Sequence, residues 1–274
     1  VSVSFERPVL LDRFLENAIE VDVDTVSDGE SVLVCGIVEH IERAGIHSGD
    51  SSFLLPSQTL SEEVLKEIER ATKLLAEACN VRGLMNVQYA VVGSEVYVIE
   101  VNPRASRSVP FISKVMGIPW AKIAARVMAG ESLEEIQATG LYGNNFLAFK
   151  DYLKAIESVS YVAIKEAVFP FAKFRGVDTV LGPEMKSTGE VMGIDNTAWG
   201  SFIRAQKGIG VELPESGTVF LSLKDEDKEA ALVLGKKLSG LGFKLVATKG
   251  TANFLKTNGI EASSINKVLE GSPH

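Results

Sequence analysis

The chain has 274 residues, of which 46% are hydrophobic and 23% are charged, and its formal net charge at pH 7 is −8. This length predicts two domains with ordinary hydrophobic cores, at about 150 residues per domain, and the apolar content excludes a mainly disordered chain. The negative net charge argues against nucleic acid and anionic membrane surfaces as partners, and no apolar run is long enough to cross a membrane.

The ends of the chain and its two cysteines indicate the cellular compartment that we expect for the protein. Charged side chains within residues 1–12 leave no apolar core for a secretory signal peptide. Cys35 and Cys79 lie in apolar surroundings without a Cys-x-x-Cys spacing, which predicts reduced, buried thiols instead of a disulfide or a zinc site. We therefore expect a cytoplasmic protein. Because the chain begins in strand-like sequence and stops after a helix-like run, we also expect a piece of a longer protein.

The first predicted elements are an antiparallel hairpin and a helix. Short runs of alternating apolar and polar residues lie within residues 9–38, with Asp28-Gly29 as a hairpin turn signal. Thr59 and Glu62 have the spacing of a capping box, and apolar residues then recur at helical spacing until Asn80. We predict one amphipathic helix that covers one face of the sheet.

Further along the chain the pattern changes from antiparallel to parallel. We predict a second hairpin over 87–99 and short helices over 110–127. Residues 132–213 are less regular, with a strand-like stretch at 161–164, and we expect them to wrap the first domain. From Thr218 the order is strand, helix, strand, helix, which predicts a parallel sheet. The fold class is therefore α/β: residues 1–213 form a domain with an antiparallel sheet, and residues 214–274 form a partial, Rossmann-like domain with a parallel sheet.

The second hairpin brings oxygen-bearing side chains together. Glu100 and Asn102 share a face because strand side chains alternate. Gln88 lies opposite Glu100 if the hairpin tip spans three residues and opposite Ile99 if it spans two, so a site predicts the longer tip. Oxygen ligands without histidine or cysteine suit Mg²⁺ bound together with phosphate, and Arg104 would add a fixed cation. The alternative is that these residues are solvated on an open sheet face.

Four long motifs resemble one family. Residues 39–50, 82–88, 100–111 and 181–193 are similar to the large chain of carbamoyl-phosphate synthase, and the similarity covers nearly the whole chain. Their order is that of the second ATP-grasp half of this family, which runs into a methylglyoxal-synthase-like regulatory domain, here truncated. The family's ATP-grasp domain also has an earlier part with a phosphate-covering loop. The resemblance therefore implies that this chain alone is not a competent catalyst.

The resemblance also implies the cofactors and the residues that hold them. The cofactors are ATP and Mg²⁺ or Mn²⁺, with two ions expected, and Gln88, Glu100 and Asn102 match the metal ligands. Arg104 would be the catalytic residue that stabilises the transferring phosphoryl group. Glu20 would accept hydrogen bonds from the ribose hydroxyl groups. The other nucleotide-binding residues would be Arg13, Leu15, Gly45, Ile46, His47 and Ser48.

Several of these residues have a plainer structural interpretation when they are taken alone. Glu20 and Arg13 would then be exposed strand residues, and His47 would cap a turn between glycines. Arg107 and Lys114 would be surface charges and not part of a site.

Two regulatory sites are implied as well. Residues 248–251 join a strand to a helix, where backbone N–H groups and the helix dipole favour a phosphate. The resemblance implies that the phosphate of a nucleotide effector, UMP or IMP, is held by Lys228, Thr248, Thr251 and Lys267. Residues similar to the family's ornithine site, which have an equally plain reading as structural acids and a cap, are His40, Glu42, Asp50 and Glu166.

The function implied by the resemblance is that of an ATP-dependent ligase. This half would phosphorylate carbamate with Mg-ATP, giving carbamoyl phosphate for arginine and pyrimidine synthesis. The intact protein would be an oligomer that uses bicarbonate and receives ammonia from a glutaminase small subunit. The alternatives are another ATP-grasp carboxylate–amine ligase, with an acceptor pocket beside Arg104, and an effector-binding regulatory fragment without catalysis.

Overall fold

The protein is described by a computed structural model that covers residues 13–142, 145–174 and 176–272. It divides into two compact units between Val211 and Glu212. The first unit is built on a seven-stranded sheet and the second on a three-stranded sheet. The α/β class with an antiparallel sheet followed by a small parallel sheet, predicted from the sequence, is confirmed.

The first unit holds seven strands and six α-helices in its described residues. The strands are β1 (Ile19–Ser27), β2 (Val32–Arg43), β3 (Phe53–Leu55), β4 (Gly83–Val92), β5 (Glu95–Asn102), β6 (Val162–Val168) and β7 (Gly189–Asp195). The helices are α1 (Glu62–Ala78), α2 (Ser108–Met116), α3 (Trp120–Met128), α4 (Leu133–Ala138), α5 (Tyr152–Ile156) and α6 (Ala198–Gly208). Short 3₁₀ turns lie at Phe146–Lys150 and Phe171–Lys173.

The sheet of the first unit is antiparallel throughout, in the order β5-β4-β1-β2-β3-β6-β7. The strand-like stretch 161–164, predicted within the less regular segment 132–213, is confirmed as part of β6. The same segment also supplies β7 and α6, which were not predicted, so it extends the sheet instead of only wrapping the domain. The short strand β3 would otherwise have an unpaired edge. Strand β6 pairs with that edge and so extends the sheet.

The central strand β1 separates an apolar face from a polar one. Val21 and Val23 are fully buried in the core, and so is Tyr89 of the neighbouring β4, whose hydroxyl lies 2.7 Å from that of Thr72 on α1. The alternate residues of β1 therefore point to the opposite side of the sheet. There the strand carries acidic residues, of which Asp22 is 3% exposed. In a half-exposed sheet the polar face is open to solvent. Here the acidic residues of that face are buried, which is unusual and calls for an explanation.

Helix α1 forms where the sequence predicts it, but with a different N-cap. Ser61 caps the helix by accepting a hydrogen bond from the N–H of Val64 at 3.4 Å. The predicted capping residue, Thr59, instead donates its N–H and its hydroxyl to the buried carboxylate of Glu39. At the other end, Cys79 is the C-cap and is exposed, so the prediction of a buried thiol holds for Cys35 and was wrong for Cys79.

The second unit contains the predicted strand–helix–strand–helix order. Its elements are β8 (Thr218–Leu221), α7 (Lys228–Gly240), β9 (Lys244–Thr248), α8 (Lys249–Thr257) and β10 (Ser263–Ile265), with 3₁₀ turns at Asp225–Asp227 and Val268–Glu270. The strands are parallel, in the order β10-β9-β8. Across both units, no helix within the described residues is long and apolar enough to cross a membrane.

Candidate active site

The hairpin of β4 and β5 reaches the pairing that a site requires by a route different from the predicted one. The tip spans only the two residues Gly93-Ser94, so the prediction of a longer tip was wrong. A register shift follows, in which Ile99 is an extra residue on β5. Because a bulge of this kind adds one residue to one strand, Gln88 lies directly opposite Glu100 after all.

The same face of the hairpin continues toward the end of the strands. Asn86 lies opposite Asn102, two positions along from the Gln88–Glu100 pair. Within the described part of the chain, no hydrogen bond or ion pair engages the side chains of Gln88, Glu100 or Asn102. That part of the chain also contains no cluster of three His, Cys, Asp or Glu residues that would hold a metal. One carboxylate with amide oxygens beside it nevertheless fits a hard divalent ion that also binds phosphate.

A cleft of about 710 Å³ lies over this face. Among the residues predicted for nucleotide binding and catalysis, those that line the cleft are Glu20, Gly45, Ile46, His47, Ser48, Gln88, Glu100 and Arg104. Three predicted residues, Arg13, Leu15 and Asn102, are not among its lining residues. Lining residues that the sequence analysis did not assign to a nucleotide or metal site include Asp22, Asn86, Ser106, Arg107, Lys165 and Glu190. Arg107 and Lys114 are both exposed, as predicted for surface charges, but Arg107 also lines the cleft and Lys114 does not.

Glu20 is a buried cleft residue and not the exposed strand residue that its isolated position suggests. It is 6% exposed, and its Oε2 accepts a hydrogen bond from the N–H of Gly45 at 3.3 Å. Burial raises the pKa of this carboxyl above its ordinary value. Arg13, by contrast, is exposed, as the plainer interpretation predicted.

Residues 45–51 form a loop over the cleft, and Lys165 of β6 binds this loop through its ammonium group. Its ammonium donates to the carbonyl oxygens of Ser48 and Gly49 at 3.3 Å each and to that of Ser51. It also lies 4.0 Å from the ring centroid of Phe53. Burial lowers the pKa of this ammonium. All three donors of the lysine therefore serve one stretch of backbone.

The loop is held from a second side by the segment that precedes β7. The carboxylate of Asp50 accepts hydrogen bonds from the N–H groups of Lys186 and Ser187 at 2.8 Å each. The N–H of His47 donates to the carbonyl of Gly182 at 2.8 Å. The imidazole of His47 also accepts from the N–H of Gly49 at 3.0 Å, which is the turn-capping role considered from the sequence. This loop thus depends on two distant parts of the chain.

Of the four residues similar to the ornithine site, the structure brings two together. Ser52 donates its N–H to Glu42 at 2.6 Å, and its hydroxyl lies 3.0 Å from Glu42 and 2.9 Å from Glu166. Burial raises the pKa of Glu166. The other two residues have different neighbours: Asp50 holds the loop described above, and Nε2 of His40 lies 3.4 Å from a carboxylate oxygen of Asp22.

The candidate effector residues of the second unit gather at the start of α8. The hydroxyl groups of Thr248 and Thr251 lie 3.4 Å apart. A Cβ added at Gly250 would lie 3.4 Å from Nζ of Lys228, so this ammonium stands beside the first turn of the helix. Lys267 is exposed, and no hydrogen bond among the described residues joins it to the other three.

Comparisons with known proteins point to one family. The family model described as carbamoyl-phosphate synthase L chain, ATP binding domain, matches residues 2–136, and the MGS-like domain matches residues 230–274. The carbamoyl phosphate synthase large chain of Brucella melitensis is 56% identical over 98% of this chain and 22% of the relative. The C-terminal section of the large chain of Aquifex aeolicus is 51% identical over 100% of this chain and 51% of the relative.

The chain thus spans from about a fifth to about half of the length of these relatives. Among solved structures, the biotin carboxylase domain of a single-chain bacterial carboxylase is similar over 66% of this chain and 43% of that chain. Its sequence identity is 20% and its TM-score is 0.46, so the family assignment depends on the sequence comparisons.

Proposed function

Because the chain belongs to the carbamoyl phosphate synthase large-chain family of ATP-dependent ligases, we propose that its first unit, as part of the complete protein, phosphorylates carbamate with Mg-ATP. The products are carbamoyl phosphate and ADP, and carbamoyl phosphate supplies arginine and pyrimidine synthesis. The observation that supports the proposal most directly is the direct pairing of Gln88 with Glu100 on the wall of a cleft that Glu20 and Arg104 also line.

In this proposal the side chains bind and orient the nucleotide. Gln88, Glu100 and Asn102 hold Mg²⁺ or Mn²⁺ through their oxygen atoms, and the bound ions neutralise phosphate charge. The carboxylate of Glu20 accepts hydrogen bonds from the ribose hydroxyl groups. Arg13 and Leu15 contact the adenine, as the family resemblance implies.

Catalysis in this proposal comes from positioning and charge. The guanidinium of Arg104 stabilises the negative charge on the transferring phosphoryl group, a step that needs little covalent chemistry from the protein. The loop 45–51 excludes water from the reacting groups, and Lys165 and Asp50 keep it in place. A loop held in this way would keep the reacting groups oriented before the phosphoryl group is transferred.

The wider activity belongs to the whole protein. Carbamate forms from bicarbonate and ammonia, and a glutaminase small subunit supplies the ammonia to an oligomeric large chain in the cytoplasm. The second unit binds the phosphate of UMP or IMP through Lys228, Thr248, Thr251 and Lys267, and ornithine is a further effector. The matching MGS-like family model over residues 230–274 and the lysine beside the first turn of α8 support this regulatory role.

Calorimetric titration of this chain with a non-hydrolysable ATP analogue tests the nucleotide site. We expect binding that requires Mg²⁺ and that weakens at least about tenfold in Glu100→Ala. Glu95→Ala is the matched control, because Glu95 is an exposed residue of the same strand outside the cleft lining. Binding that persists in EDTA, or an equal loss in both variants, would contradict the proposal.

The acceptor is tested in the complete large chain by the reverse reaction, formation of ATP from ADP and carbamoyl phosphate. Arg104→Ala should lower this rate by about 10²-fold or more, by comparison with other preorganised charge-stabilising groups. A complete large chain that makes ATP from a different acyl phosphate, and not from carbamoyl phosphate, would favour another carboxylate–amine ligase.

The regulatory role is tested separately with UMP. Metal-independent UMP binding should disappear in Lys228→Ala and persist in Lys256→Ala, whose lysine lies in the last turn of α8. If UMP binds this chain but the ATP analogue does not, an effector-binding fragment without catalysis is the better description.

A further inference from the structure

A buried carboxylate lies next to Asn86 on the cleft face of the sheet and joins two parts of the cleft wall. Asp24 of β1 is 1% exposed. Its Oδ1 accepts hydrogen bonds from Nδ2 of Asn86 at 3.1 Å and from the hydroxyl of Ser106 at 2.6 Å. Its Oδ2 accepts from the hydroxyl of Ser108. All three donors belong to residues that line the cleft.

We propose that Asp24 is a positioning residue for the phosphoryl-transfer site, acting through Asn86 and through the segment 104–108. This inference depends on the proposed function for the identity of the ligand, but the positioning itself concerns contacts within the chain. Asp24 is not among the cleft-lining residues, so its effect on a bound nucleotide is indirect.

The first consequence concerns the direction of the Asn86 amide. A carboxylate only accepts hydrogen bonds, so Asn86 must turn its amino group toward Asp24. Its carbonyl oxygen is then left on the side of the cleft, and no hydrogen bond among the described residues uses it. Asn86 shares the sheet face of Gln88 and lies opposite Asn102, so this oxygen adds to the acceptors already gathered there.

The second consequence concerns the two arginines of the cleft. Ser106 and Ser108 both donate to Asp24, and their hydroxyl oxygens lie 2.7 Å apart. Arg107 lies between these two serines at the N-cap of α2, a position where no side chain makes a capping hydrogen bond. Arg104 begins the same short segment. The hydrogen bonds from the two serines to Asp24 therefore restrict the positions of both guanidinium groups. Residues that are hydrogen-bonded to the direct ligands of a site orient those ligands in the same way.

The test is a pair of substitutions at Asp24, assayed with Mg²⁺ and a non-hydrolysable ATP analogue. Asp24→Val removes both acceptor oxygens and should raise the dissociation constant about 10- to 100-fold. Asp24→Asn keeps one acceptor oxygen, and we expect it to restore part of the affinity. In an Asn86→Ala background, Asp24→Val should have a smaller effect, because part of its action passes through Asn86.

Stability must be separated from positioning. Asp28→Ala is the matched control, because Asp28 is also a buried aspartate near β1, accepting hydrogen bonds from backbone N–H groups away from the cleft. It should lower the unfolding temperature and leave the dissociation constant of the folded protein unchanged. Parent-like affinity in folded Asp24→Val, or an equal loss of affinity in Asp28→Ala, would overturn the proposal.

A second measurement needs no nucleotide. The side-chain amide protons of Asn86 in an NMR spectrum should show a hydrogen-bonded resonance that is lost in Asp24→Val and kept in Asp28→Ala. If the parent fails to bind the nucleotide with Mg²⁺, the proposed function fails, while this spectrum still tests whether Asp24 orients Asn86. An unchanged Asn86 resonance in Asp24→Val would refute the positioning role by itself.

Discussion

Lys165→Met probes how firmly the loop over the cleft is held. Methionine retains much of the length of lysine, but it has no hydrogen-bond donor and no positive charge to lie over the ring of Phe53. The parent ammonium donates to three carbonyl oxygens of the loop, those of Ser48, Gly49 and Ser51. We expect the variant to fold and the loop 45–51 to open more often.

The size of the effect follows from the geometry of these contacts. A hydrogen bond from a charged donor contributes about 1.5–3 kcal/mol when its geometry is good. The bonds to Ser48 and Gly49 are long, at 3.3 Å each, so we count mainly the shorter one to Ser51. The buried ammonium has lost its hydration, which is why its pKa is lowered, and this offsets part of the gain. A net change of about 1–2 kcal/mol corresponds to about 5- to 30-fold more opening.

Native-state hydrogen exchange measures this opening. The N–H groups of His47, Asp50 and Ser51 are hydrogen-bonded within or beside the loop, so their exchange reports loop opening. They should exchange about 5- to 30-fold faster in Lys165→Met, while the amides of β1 keep their parent rates. Lys154→Met, at an exposed lysine, is the control. Unchanged loop exchange, or an equal increase in β1, would refute the reasoning.

Three other substitutions test the fold and its titration. Burial raises the pKa of Glu166 from about 4.5, so its contribution to stability is present below that pH and is lost as pH rises through the raised value. Glu166→Gln should therefore gain stability relative to the parent as pH rises through that interval, measured by urea unfolding; a constant difference would show that Glu166 titrates normally. Gly193→Ala should destabilise the first unit by about 1–3 kcal/mol or more, because the new Cβ would lie 2.0 Å from the carbonyl oxygen of Ser201. A parent-like unfolding midpoint would mean that α6 moves away from β7 at little cost. Ser61→Ala removes the N-cap of α1 and should cost about 1 kcal/mol in the same assay, whereas no loss would contradict the cap.

The hairpin of β4 and β5 shows where prediction from sequence succeeds and where it stops. Its two strands follow from local alternation, and its turn from Gly93-Ser94. The bulge at Ile99 has no local signal, because Ile99 only ends an apolar run, residues 96–99, that a regular strand would also carry. Yet the bulge is what brings Glu100 opposite Gln88. The predicted pairing was right while the predicted tip length was wrong, since two different backbone paths lead to the same register.

Helix α1 makes the same point at its N-terminus. The apolar spacing of the helix is a property of neighbouring residues, so its existence was predictable. The choice between Thr59 and Ser61 as the cap was decided by Glu39, a residue of β2 that accepts two hydrogen bonds from Thr59. A capping motif in sequence does not show which side chains already have partners.

The sequence by itself determined the α/β class, helix α1, the first two hairpins, the parallel order of the last strands and the family motifs, because these depend on residues close together along the chain or on motif identity. Only the tertiary structure decided that Lys165 donates hydrogen bonds to the loop 45–51, that Asp24 accepts one from Asn86, and that Arg107 lines the cleft. These hydrogen bonds join residues 62 to 117 positions apart, and the position of Arg107 depends on how α2 begins beside β1. Burial and hydrogen-bond partners across such separations arise only when the sheet assembles, so no local pattern records them.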